Sequence, residues 1–237
     1  MLLVRKILLT WIKKIVSFLS LLPIRLNSNI KIKNVLFIKT KVYVAKTSHI
    51  AMSESVIINN SINIRGKNNS FIALNCSLTS SQILIDGDEC RIILQEGTSI
   101  RDSKFVIRGS RCTICIGKNS TIGSNGEFVC MGIDNSLTIG EGCMIADSVD
   151  IWATDSHPIM DKKSGTILNS STSVTVGNHV WIGKGASVLK GVRIGDDSVV
   201  GMKSIVTHGM EPSCIYAGIP AKKIKETITW DRNFIKQ

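Results

Sequence analysis

The sequence has little of what builds most globular interiors. Among 237 residues there are four prolines, two tyrosines and six phenylalanines, and aromatics amount to 5%. So little aromatic surface argues against a core organised around large rings, and against the stacking platforms that hold single-stranded nucleic acid. Four prolines beside 19 glycines exclude collagen-like and Pro/Gly-disordered compositions, and a mean hydropathy of +0.20 excludes an unfolded polyelectrolyte. Acidic residues are missing from the start of the chain: residues 1 to 50 carry ten Lys and Arg, and the first carboxylate is Glu54. The remainder is close to neutral, with 19 basic against 18 acidic residues. The net charge of +11 therefore belongs to the N-terminal fifth, where an anionic membrane or an acidic polymer is the expected partner and nucleic acid is not.

Long apolar runs are also lacking. Within Met1 to Leu26 the longest charge-free stretch after Lys14 is Ile15 to Ile24, too short for the roughly 20 residues that cross a bilayer. Leu22-Pro23-Ile24-Arg25 offers no small-residue cleavage site of the kind a secretory signal needs. At a helical pitch Lys6, Thr10, Lys13, Ser17 and Ser20 gather on one side, opposite Val4, Ile7, Leu8, Trp11, Ile12, Ile15, Phe18 and Leu19. Residues 1–28 are thus expected to form a basic amphipathic helix. It either lies on an anionic membrane surface or packs on the protein's own body or a neighbouring subunit. The seven cysteines are odd in number, and Cys112-Thr-Ile-Cys115 has no second pair, so all are read as reduced thiols of a cytoplasmic protein.

What is present is a period. Val176, Ile182, Val188, Ile194, Val200 and Val206 recur every six residues, with glycine following at 177, 183, 195 and 201. Four residues after each stands Val180, Ala186, Val192, Ser198, Ser204 or Met210. Neither helix nor ordinary strand has that spacing. A prism-shaped coil does: each hexad supplies a short strand and a turn, three hexads make a circuit, and the aliphatic residue points inward onto its counterpart in the next circuit. Glycine after the inward residue is expected at corners where a side chain would be strained. Fainter runs start at Ile116-Gly117 and Ile139-Gly140, and Ile64, Ile85 and Ile107 recur at about one circuit plus a small loop. The expected organisation is an N-terminal helix over 1–28, one solenoid over 29–226 with an insertion at 152–173, and a tail over 227–237. A solenoid's ends need cover, which the helix and the polar tail after Ile224 could supply.

The segment from Val180-Trp-Ile-Gly-Lys-Gly through Val200-Gly-Met-Lys-Ser-Ile-Val-Thr to Ala217-Gly-Ile-Pro-Ala-Lys resembles the hexapeptide-repeat acyltransferases, and most nearly the galactoside, maltose and capsular or O-antigen polysaccharide O-acetyltransferases. The resemblance implies a left-handed parallel β-helix, a homotrimer, acetyl-CoA as co-substrate and a carbohydrate acceptor. It also implies site residues.

Between Ile151 and Val174 the hexads stop, and the interruption holds Thr154-Asp155-Ser156-His157-Pro158. His157 stands where the family has its catalytic histidine, and neutral imidazole suits removal of a hydroxyl proton near pH 7. Asp155 is expected to orient that ring or the acceptor hydroxyl. Trp181 either lines the acceptor and thioester pocket or packs at a subunit seam. For acetyl-CoA the resemblance points to Lys184, Met202, Thr207, His208 and Lys225; Lys203 is expected to supply phosphate charge that His208 provides weakly, and Lys222 and Lys223 are further candidates. Met202 and His208 stand where the family more often carries a small residue and lysine. No metal is expected, because His157, His179 and His208 lack the close pair that a zinc site on such a coil needs. Two rival readings stay open, an N-acyltransferase of a nucleotide-linked amino sugar and a non-catalytic trimeric scaffold.

Overall fold

In the computed structural model, which describes residues 29–235, every regular element is a β-strand, from Ile30–Lys33 to Ala221–Glu226. The helix expected over residues 1–28 lies outside the described residues. Three sheets of eight, ten and eight strands form faces A, B and C of a prism, and along eight circuits each strand pairs in parallel with the third strand after it. On face A the register stacks Ile30, Ile50, Phe71, Ile92, Ile114, Leu137 and Val174 in one column. Ile57, Leu78, Ile100, Ile122, Ile145, Ile182 and Val200 do the same on face B, and all seven are buried. Burial of each such side chain stabilises the coil by about 1.5–3 kcal/mol before entropy is counted, which is why a repeat of single aliphatic residues suffices to build it.

All twelve inward positions of the six-residue ladder are buried. Val176 pairs with Ile194, Ile182 with Val200 and Val188 with Val206, so these last circuits advance by three hexads each. Earlier circuits are longer, as in Ile64, Ile85, Ile107 and Cys130, which stack on face C. Their extra residues sit chiefly in seven-residue strands, Gln82–Asp88, Lys104–Ser110 and Glu127–Ile133, rather than in the small loops expected from the sequence. A second correction concerns glycine. Gly183 has no left-handed backbone; a Cβ there would stand 2.7 Å from the Met202 nitrogen and 2.9 Å from the Val200 carbonyl oxygen. Close stacking of successive coils, and not backbone strain at a corner, excludes a side chain.

Buried polar residues occupy the corners and tie circuits together. Asn69 donates to the carbonyls of Arg65 and Gly87 and accepts from the Cys90 backbone nitrogen. Seven cysteines are unpaired, six of them buried and Cys115 half-buried.

Two segments leave the coil. The strand Asp150–Trp152 ends face C of the sixth circuit and Val174–Val176 resumes on face A, so residues 153–173 emerge at the corner between them. The C-terminal segment does not cover the last circuit as expected. After the antiparallel hairpin of Cys214–Gly218 and Ala221–Glu226, it turns back along the corner between faces A and B. There Trp230 donates from Nε1 to the His179 carbonyl at 2.6 Å, and Arg232 donates to the carbonyls of Asn119, Gly142 and Cys143. Among the described residues no helix is long and apolar enough to cross a membrane.

Candidate active site

The loop that carries His157 begins with a tight turn. Ser156 adopts φ +64°, and the His157 backbone nitrogen donates to the Asp155 carbonyl at 2.7 Å, a bond spanning two residues. That is the geometry of the rarer, strained γ-turn. The Ser156 nitrogen donates to Thr154 Oγ1 at 2.9 Å, and Ser171 Oγ meets the same oxygen at 3.0 Å, so the entry and exit of the loop touch. Farther out the chain folds into a small hairpin in which Met160 bridges Ile167 and the Leu168 nitrogen donates to the Ile159 carbonyl. Ile159, Met160, Ile167 and Leu168 are all more than half exposed.

The His157 side chain is exposed, and its ring nitrogens bond to no described residue. Asp155 does not orient that ring within the subunit. Its Oδ2 accepts instead from Lys190 Nζ at 2.6 Å and from Asn169 Nδ2 at 2.8 Å. The Lys190 ammonium first, and the Asn169 amide next, hold the Asp155 carboxyl below its ordinary range. Lys190 and Asn169 are participants the sequence reading missed. The signal for Lys190 is vertical: Ile151 pairs with Val188, so Lys190 lies one circuit beyond Ala153 once the insertion is set aside.

Thr207 and His208 follow the strand Ile205–Val206 and share the C/A corner with the loop, two circuits farther on, with Thr207 Oγ1 and His208 Nδ1 2.8 Å apart. Lys184, Met202 and Lys203 stand together at the B/C corner, where all three are exposed and the Lys203 backbone nitrogen donates to the Lys184 carbonyl. Lys222 and Lys225 are exposed on the last strand at the edge of face B. Lys223, beside them, is ion-paired to Glu211 first and to Glu226, and its ammonium is held well above the ordinary lysine range. Exposed ammonium groups in adjacent circuits suit phosphates, and the backbone beside them suits the amides of a pantetheine arm.

Trp181 opens a face B strand and is 38% exposed, its ring 6.1 Å from that of Trp230 and tilted against it. It makes no ring contact with His157. His179 is structural: its ring stacks on Trp230 at 4.3 Å and its Nδ1 lies 2.8 Å from Asp197. The expected residues thus fall on separate parts of one subunit, the loop with Thr207 and His208 on one corner, the lysines and Trp181 elsewhere.

A family model described as bacterial transferase hexapeptide (six repeats) matches residues 173–208. The polysialic acid O-acetyltransferase of Neisseria meningitidis is 35% identical over 190 residues, covering 74% of this chain and 87% of that protein. That of Escherichia coli O1:K1 is 34% identical over 139 residues, covering 59% of this chain but 44% of that longer protein. Among solved structures, the polySia-specific acetyltransferase NeuO superposes with a TM-score of 0.71 at 29% identity, over 88% of this chain and 84% of that one. With repeats matched on the coils beside the loop, and a relative aligned over most of its own length, the chain belongs to the hexapeptide-repeat family of acetyltransferases.

Proposed function

We propose that the protein transfers acetyl from acetyl-CoA to a hydroxyl of a carbohydrate, an acidic capsular or related surface polysaccharide. The observation that carries this reading is His157, exposed at the tip of a strained turn where the hexads break, in a chain that aligns with a polysialic acid O-acetyltransferase over 87% of that protein. As the sugar oxygen attacks the thioester carbonyl, a ring nitrogen of His157 takes the hydroxyl proton; when the C–S bond breaks, the imidazolium returns that proton to the departing thiolate. Trp181 lines the pocket beside the thioester. Lys184, Met202 and Lys203 hold the nucleotide end, with Thr207 and His208 nearer the loop and Lys222 and Lys225 at the far edge. Asp155 acts on the loop rather than on the ring.

The protein works as a homotrimer. One subunit keeps the two halves of the site apart, and the exposed Ile159, Met160, Ile167 and Leu168 need a neighbour to cover them. Residues 1–28 attach the trimer peripherally to the inner face of an anionic membrane, where their uncompensated charges meet lipid headgroups.

An acceptor panel tests the reading. Thiol release from acetyl-CoA should depend on an acidic polysaccharide and should be slight with nucleotide-linked amino sugars. Equal release with an amine acceptor, or none with any glycan, contradicts it.

A further inference from the structure

We infer that Lys190 and Asn169 are positioning residues for His157, clamping the turn beneath the imidazole to the neighbouring circuit. The inference rests on the reading of His157 as general base.

The geometry is economical. The strand Ser187–Val188 lies directly beside Asp150–Trp152 on face C, so the side chain that follows it reaches both ends of the loop. Lys190 Nζ donates to Asp155 Oδ2 at 2.6 Å, to the Asn169 carbonyl at 2.8 Å and to the Ser170 carbonyl at 3.2 Å. All three ammonium hydrogens have an acceptor, two on the returning limb and one on the outgoing limb. The Lys190 side chain is 21% exposed but that of Asp155 is 41%, so the clamp rests on the three acceptors gathered on one ammonium rather than on the ion pair alone.

Asn169 completes the clamp from inside the loop. Its Nδ2 donates to Asp155 Oδ2 at 2.8 Å and to the His157 carbonyl at 2.9 Å, while its Oδ1 accepts from the Ile159 nitrogen at 2.6 Å. His157 is therefore bracketed: the residue two before it, its own carbonyl and the residue two after it all bond to one amide. Positive φ recurs at twenty non-glycine residues among those described, so Ser156 is set apart by the two-residue bond from the His157 nitrogen to the Asp155 carbonyl and by its place at the centre of this bracket. A base that must meet a hydroxyl at about 3 Å needs the turn beneath it held in this way.

The test is a kinetic comparison of K190M, K190R, N169A and D155N with H157A, each beside its melting temperature. Displacement of a reacting group by about 1 Å costs on the order of a hundredfold in rate. K190M and N169A should therefore lower kcat by at least about tenfold, with KM for acetyl-CoA within about twofold of wild type. K190R keeps the charge and the donors and should recover most of the loss, which a general packing role would not predict. Should K190M fail to fold, the isosteric D155N removes the same ion pair and should show the same fall in kcat. If K190M or D155N folds and keeps kcat within about twofold while H157A is inactive, the clamp is wrong and the reading of His157 stands. If H157A itself keeps its rate, that reading fails and the clamp fails with it.

Discussion

One methyl group separates two kinds of glycine in this chain. At Gly165 an added Cβ meets nothing within 4 Å, whereas at Gly109, held at φ +132°, it would collide with the Gly132 carbonyl of the next circuit. Gly66, Gly87, Gly109 and Gly132 form one column in which each backbone closes on the next. G109A should therefore destabilise the fold by about 1–3 kcal/mol, the usual cost of an over-packed site, plus the strain of a left-handed alanine. Chemical denaturation measures it, and a loss below about 0.5 kcal/mol would show that the coils can part. The column was visible in the sequence as Ile-x-Gly at 64, 85 and 107, but its reason was not. Only the spacing between circuits reveals that the glycine answers to a neighbour's carbonyl.

Asp155 teaches the same lesson from the side of chemistry. Two residues from a candidate base, it reads as that base's partner, yet its carboxylate turns to a lysine 35 positions on. Linear proximity is a poor guide in a solenoid, because neighbours in space lie one circuit away and an insertion hides the count. The hexads at 174–210 were legible because every circuit there has the same length. The long face C strands were less so, since alternation within seven residues dilutes a period of six.

The loop and the C-terminal strap answer to different forces. In the strap, Trp230 stacks on the His179 ring, the Arg232 guanidinium stands 5.8 Å from the Trp230 centroid, and Arg232 bonds to backbone of two circuits. Those contacts join residues roughly 50 to 110 apart, so composition could mark the tail as polar but not say where it docks. The loop instead is tied in part by an ionised Asp155, which accepts from Lys190 and Asn169. A carboxyl whose folded pKa is depressed contributes stability that is present above its unfolded pKa and is lost as pH falls through the folded one. Acidification below the ordinary carboxylate range should release residues 153–173 while the apolar coil stays paired. Hydrogen exchange followed from neutral to acid pH should show amides of the loop, His157 among them, losing protection before those of face C. Simultaneous loss would assign the loop's order to packing instead.

At the scale of the whole molecule, the proposed site is the product of two subunits. A trimer of chains of 25.9 kDa is expected in solution. Mixed trimers of inactive H157A and inactive W181A subunits should regain part of the activity, because some interfaces then pair an intact loop with an intact Trp181. Strict additivity of two dead proteins would place the site inside one chain. The claim on which the rest depends is that this interface acetylates a carbohydrate with His157 as its base. Mass spectrometry of an acidic polysaccharide incubated with acetyl-CoA measures it directly. The wild-type trimer should add O-linked acetyl groups, and H157A should do so at least about a hundredfold more slowly with acetyl-CoA affinity unchanged; a mutant keeping more than a tenth of the wild-type rate, or a glycan left unmodified by the wild type, would contradict it.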